Sequence, residues 1–231
     1  MTITPDPLSG PLVNRFNNMM WDSTFPEWGC TGGIRSWGPS GIGGNDGMVY
    51  IYAATSGGLL LARVPVASYA DRTQYSYYQG NATWGSVSPS ASQSSAYFTT
   101  GAFSTLDIFW SPKHSTFMMV YQSYYADNSF FWRYLQAPAG LKPVWAGGNK
   151  TDFVEAIVTY PWSSDRLLFV TPAPADGSYT YGGGVMPGYY DTDDITRGGG
   201  RMLLTWTEPT GQNPGSAASG YYHRSAEVDW S

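Results

Sequence analysis

Met48-Val49-Tyr50-Ile51-Tyr52-Ala53, then Ser56-Gly57-Gly58, then Leu59-Leu60-Leu61-Ala62-Arg63-Val64: two apolar, aromatic-rich runs flank a glycine turn, and this pattern decides how the chain is read. Runs of this length and β-branched or aromatic character, separated by turn residues, predict a β-hairpin. The pattern recurs. Phe117–Tyr121 and Phe130–Leu135 flank a polar loop through Asp127-Asn128, and Leu167–Val170 and Tyr179–Tyr181 flank Asp176-Gly177. Met202–Trp206 and Tyr221–Ser225 flank a long Gly/Ser/Pro loop. A further candidate strand precedes each pair: Gly33–Trp37, Leu106–Trp110, Val154–Val158 and Gly184–Tyr189. No stretch shows a sustained helical period, so no more than a turn or two of helix is expected.

Units of three strands, repeated along the chain, predict an all-β fold of β-propeller type rather than a β-sandwich with long loops. About four blades are recognisable, and an incomplete five-bladed propeller is the other form this reading takes. Residues 1–29 are expected as an irregular N-terminal segment or blade remnant, and 30–231 as a single propeller domain.

Composition supports a folded β protein. Aromatics make up 16% of the 231 residues and charged residues only 13%, the reverse of a disordered chain. Net charge is −5 and there are only three lysines, so the basic face a nucleic-acid binder needs is missing. The same argument disfavours an anionic membrane surface, and no apolar run is long enough for a spanning helix. Met1–Pro7 lacks the pattern of a signal peptide. Two glycosylation sequons, at Asn81 and Asn149, point instead to secretion, a conflict resolved if the chain is a fragment or begins at a misplaced start. Cys30 stands alone and is expected as a small core residue.

The stretches Val49–Tyr52, Gly58–Pro65, Gln74–Gly80 with Trp84, and Tyr181–Asp191 followed by Met202–Thr207 resemble the domain of unknown function 4185 family. The resemblance runs from about residue 45 to the C-terminus. It implies a five-bladed propeller, an extracellular location and glycoside hydrolysis of the endo-D-arabinanase kind, in a chain shortened at its N-terminus. Two positions depart from the family pattern. Met186 stands where a histidine is often found, and the family's acidic pair falls in N-terminal blades that this chain largely lacks.

Glycoside hydrolysis needs two carboxylates, and those on innermost blade strands can converge over a central cavity. Asp107 and Glu155, each flanked by apolar residues, are the first candidates, with Asp22 in reserve; Asp191 also follows a first strand. Trp37, Trp110, Tyr160 and Trp162 could stack on sugar rings. Asp191-Thr192-Asp193-Asp194 lacks the glycine and the twelfth-position glutamate of a calcium loop, and His114 and His223 have no partners at zinc spacing. No cofactor is expected, with a calcium ion in the channel left open. The expected protein is a secreted, monomeric, glycoside-hydrolase-like propeller with a polysaccharide or oligosaccharide as partner. A lectin-like propeller and an inactive truncated homologue are the alternatives.

Overall fold

In the computed structural model, residues 2–3, 13–14, 20–29, 33–35, 47–111, 113–123, 128–141, 152–174, 179–186, 201–209 and 221–230 are described. The quoted hairpin is where the sequence places it. Strands β4 (Met48–Ala54) and β5 (Gly58–Pro65) pair antiparallel from Met48↔Pro65 to Ala54↔Leu59. The turn is set by Thr55, whose hydroxyl donates to the Gly58 carbonyl and accepts from the Gly57 and Gly58 N–H groups. Strand β3 (Gly33–Arg35) precedes this pair, and β6 (Ser76–Gly80) and β7 (Thr83–Gly85) extend the first sheet in the order β3-β4-β5-β6-β7. A short β8 (Thr99–Thr100) also pairs with β5. Asn81 and Ala82 both take positive φ in the β6–β7 turn, the left-handed geometry that suits a two-residue hairpin.

The second sheet runs β9 (Phe103–Ser111), β10 (Thr116–Ser123), β11 (Ser129–Tyr134), β12 (Arg166–Val170). The third runs β13 (Tyr181–Met186), β14 (Arg201–Pro209), β15 (Tyr221–Asp229). Both are antiparallel meanders whose spatial order follows the chain. A two-stranded piece, β1 (Thr2–Ile3) with β2 (Val13–Asn14), lies near the N-terminus. The protein is mostly β and antiparallel.

Three apolar layers hold the sheets. Leu59, Leu60 and Leu61 are all fully buried, so β5 is covered on both faces and shows no alternation of apolar and polar residues. One face meets Trp28, Tyr75 and Tyr77, with Met20, Trp21 and Phe25 packed outside them. The other face, with Tyr50, Tyr52 and Leu61, packs on Leu106, Ile108, Trp110, Phe117, Met119 and Tyr121 of sheet two. The opposite face of sheet two, carrying Phe109, Met118, Val120 and Phe130, meets Val185, Met202, Leu204 and Trp206 of sheet three.

The segment expected as a strand at Val154–Val158 is instead helix α1 (Asp152–Thr159), so Glu155 lies on a helix. Ala156 and Ile157 point into the layer between sheets one and two, and that burial stabilises a segment whose β-branched residues favour a strand. Leu167–Val170 consequently closes sheet two as its fourth strand rather than beginning a unit of its own, and the residues around Tyr181 open sheet three. The four repeats of the sequence become three meander sheets among the described residues.

Candidate functional site

The turn between β9 and β10 is drawn tight by local bonds: the His114 N–H donates to the Ser111 hydroxyl, and Ser115 sits at φ 50°. Beyond it, Thr116 Oγ1 donates to the Leu135 carbonyl at 2.8 Å, and the Leu135 N–H donates to Phe117. The chain leaving β11 is then clipped to residues 161–163, through the Tyr134 N–H to Ser163 Oγ and the Gln136 N–H to the Pro161 carbonyl.

Two hollows flank this turn. The larger, about 500 Å³, is lined by Trp110, Phe117, Leu135, Gln136 and residues 137–139, among others. The smaller, about 280 Å³, is lined by His114, Thr116, Met118, Trp132, Tyr134 and Arg166. His114, Thr116 and Tyr134 line both. Trp110, Phe117 and Leu135 belong to the layer facing sheet one, whereas Met118 and Trp132 belong to the layer facing sheet three. The hollows therefore form a saddle that passes around the end of sheet two from one face to the other.

The smaller side is rich in rings. Trp132 and Tyr134 lie two residues apart on β11, so they share a face, with centroids 6.1 Å apart. Trp230, just past β15, meets Trp132 at 5.5 Å and His114 at 5.9 Å, both edge-on. The Arg166 guanidinium lies 5.1 Å over Trp132 and 5.3 Å over Tyr134. Partial burial, with Lys113 next to it, holds the His114 pKa below its ordinary value, so the imidazole is neutral near pH 7.

Asp107 lies on β9, the first strand of its sheet, but lines neither hollow. Its Oδ2 accepts the Val185 N–H at 2.9 Å. Burial raises its pKa, and this bond pulls it partly back. Two residues away on β13, the Gly183 N–H donates to Gln122 Oε1 at 3.2 Å. Donors two apart point to one strand edge, so Asp107 and Gln122 together satisfy the edge of β13 that β14 does not use. This bond gives Asp107 a structural task whatever its chemistry.

The other candidates are scattered. Asp22 is exposed, and its carboxylate accepts from the Thr24 N–H and hydroxyl, which lower its pKa; it forms a turn beside the outer layer of sheet one. Trp110 is buried, edge-on to Phe117 at 5.0 Å, and lines the larger hollow. Tyr160 and Trp162 are half-buried against the layer between sheets one and two. The Trp162 indole N–H donates to the Ile157 carbonyl, fixing the end of α1. Asn81 is exposed at its turn, as a sequon requires. Trp37, Asn149, Cys30 and Asp191 lie outside the described residues. Among the described residues, no three His, Cys, Asp or Glu side chains converge as metal ligands.

The residues that sequence reasoning missed are Trp132, Tyr134, Arg166 and Trp230. The alternation in Phe130-Phe131-Trp132-Arg133-Tyr134 puts Trp132 and Tyr134 on one face, and that was the available signal.

No family model matches the chain, and no curated protein matches it. Among solved structures it is similar to a proposed hydrolase from Bacteroides ovatus, at 19% identity and a TM-score of 0.49, over 80% of this chain and 43% of that one. The chain thus spans less than half the length of that protein, and a likeness at this level carries no functional argument.

Proposed function

We propose that the protein is a carbohydrate-recognising protein of propeller type that docks an oligosaccharide or polysaccharide strand in the saddle around the β9–β10 turn. The observation that carries this reading is the saddle's lining: two joined hollows that mix aromatic rings with hydroxyl, amide and imidazole groups. Aromatic faces take the apolar faces of sugar rings, and the polar groups take the hydroxyls. The blade reading is supported by three stacked meanders and by the bond from Asp107 to Val185, which joins the first strands of consecutive sheets. Extracellular location and kinship with the 4185 family belong to the same proposal, supported by the exposed sequon at Asn81 and by the quoted motifs.

Glycoside hydrolysis is the second reading, favoured by one observation, the raised pKa of Asp107 on an innermost strand. It ranks second because Asp107 lies outside the saddle and already holds Val185 in place. The test is calorimetric titration of neutral and acidic oligosaccharides, arabinans included, into wild type and Tyr134→Ala. The expected result is a glycan that binds wild type and binds the variant at least fivefold more weakly, about 1 kcal/mol for a lost ring contact. Failure of every glycan to bind, or equal binding by the variant, overturns the proposal. Release of reducing ends by wild type and its loss in Asp107→Asn would promote the second reading.

A further inference from the structure

We propose that the smaller hollow selects an acidic sugar, a uronate residue whose carboxylate docks on Arg166; this rests on the oligosaccharide reading of the saddle and narrows it. Arg166 opens β12 and is exposed at the hollow. Its guanidinium rests over Trp132 and Tyr134, which hold the cation at the hollow, and the side chain's exposure leaves N–H donors for a ligand. Two parallel donors in one plane match a carboxylate better than they match a neutral hydroxyl.

Among the described residues, Arg166 has no carboxylate partner. Asp165, its neighbour in the chain, is engaged by Arg133, while Arg201 pairs with Glu227 and Arg224 with Glu208. Arg63 and Arg72 also lie over rings, Trp84 and Phe25, but line neither hollow of the saddle. Arg166 is therefore a preorganised cation at a site with sugar-compatible neighbours: Thr116 offers a hydroxyl and His114 a neutral imidazole. The net charge of −5 makes this local cation matter more, because the molecule as a whole does not attract polyanions.

The experiment compares short galacturonate oligomers, their methyl esters and sulfated galactan oligomers by calorimetry on wild type, Arg166→Gln and Arg166→Lys. The esters keep the sugar and remove only the charge. Wild type is expected to bind the free acid about tenfold more tightly than the ester, the scale of a charge-assisted bidentate bond. That ratio should fall to about one in Arg166→Gln and to an intermediate value in Arg166→Lys, and added salt should shrink it in wild type. Equal binding of acid and ester by wild type overturns the uronate inference while the oligosaccharide reading stands. Preference for the sulfated oligomers over the uronates also overturns it, since the anion is then not a carboxylate. Failure of every oligomer to bind also overturns the uronate inference, and the oligosaccharide reading falls with it only if the neutral glycans and arabinans fail to bind as well.

Discussion

The seam between sheets one and two and the seam between sheets two and three are closed by different chemistry. In the first, a charged side chain crosses. Arg133, buried on β11, donates to Thr99 Oγ1 at 2.9 Å and to the Thr100 carbonyl at 2.7 Å, pairs with Asp165, and lies over Phe103 and Tyr121. In the second, uncharged Gln122 and the carboxylate of Asp107 receive backbone donors of β13, and Gln122 Nε2 donates to the Thr180 carbonyl. The first seam thus depends on one cation satisfied by several partners. The second depends on backbone approaching side chain so closely that Gly183 is required: a Cβ there would run into the Phe130 ring. Both faces of sheet two are thereby fixed, and the saddle forms where they meet at its end.

Removing the crossing cation should have the largest effect. Arg133→Met takes the charged donor from both the Thr99 hydroxyl and the Thr100 carbonyl, and a loss of about 3 kcal/mol is expected in urea unfolding. Asp165→Asn should cost under about 1 kcal/mol, because Asp165 is 46% exposed and its share of the pair is screened. Equal losses in the two variants would show that the pair, rather than the backbone bonds, closes the seam.

The second seam is tested by Gly183→Ala, which should cost about 2 kcal/mol through overpacking against Phe130. A neutral outcome would mean that β13 can retreat from β11, and that the close approach is not required.

Asp107→Asn separates charge from hydrogen bonding in that same seam. The folded-state pKa lies above the unfolded value of about 4, so the folded chain holds its proton more tightly than the unfolded chain. The charge therefore costs stability as pH rises through this region, and the cost is absent below the unfolded value. Asparagine keeps the acceptor for Val185 without the charge. Its melting temperature should equal or exceed that of wild type at pH 7, and the two should converge below about pH 4. A variant less stable at pH 7 would show that ionised Asp107 is bound by a partner beyond Val185.

The smallest effect is expected at Tyr52, whose hydroxyl is fully buried without a hydrogen-bond partner among the described residues. Burial raises its pKa well above the ordinary value, with Asp107 and Tyr50 adding to the rise. Tyr52→Phe should be neutral or slightly stabilising in thermal melts. A clear loss would reveal a partner for the hydroxyl.

Three of the four expected hairpins form, legible because both members of each pair are apolar and set off by turn or loop residues: Thr55-Ser56-Gly57-Gly58 reads as a turn without any structure, whereas Leu167–Val170 and Tyr179–Tyr181 part into different sheets. Helix α1 was not, since two turns rich in valine and isoleucine carry a strand's propensity, and only its docking on the layer between sheets one and two decides the matter. Asp107 could be placed on a first strand, but its partner Val185 is 78 residues away. Trp110, offered as a ring that could stack on sugars, is a buried core ring that also lines the larger hollow. Trp132, Arg166 and Trp230 come from β11, β12 and the end of β15, and only the packing of sheet two against sheet three brings them together.

Hydrogen–deuterium exchange with and without a bound oligosaccharide tests most directly that the saddle, and not the surroundings of Asp107, is where this protein meets its ligand. The account predicts slower exchange on binding in 113–117 and 132–141, with little change in 105–109 and 181–186. Protection centred on 105–109 and 181–186, with the saddle unaltered, would contradict it and move the site to the first strands of sheets two and three.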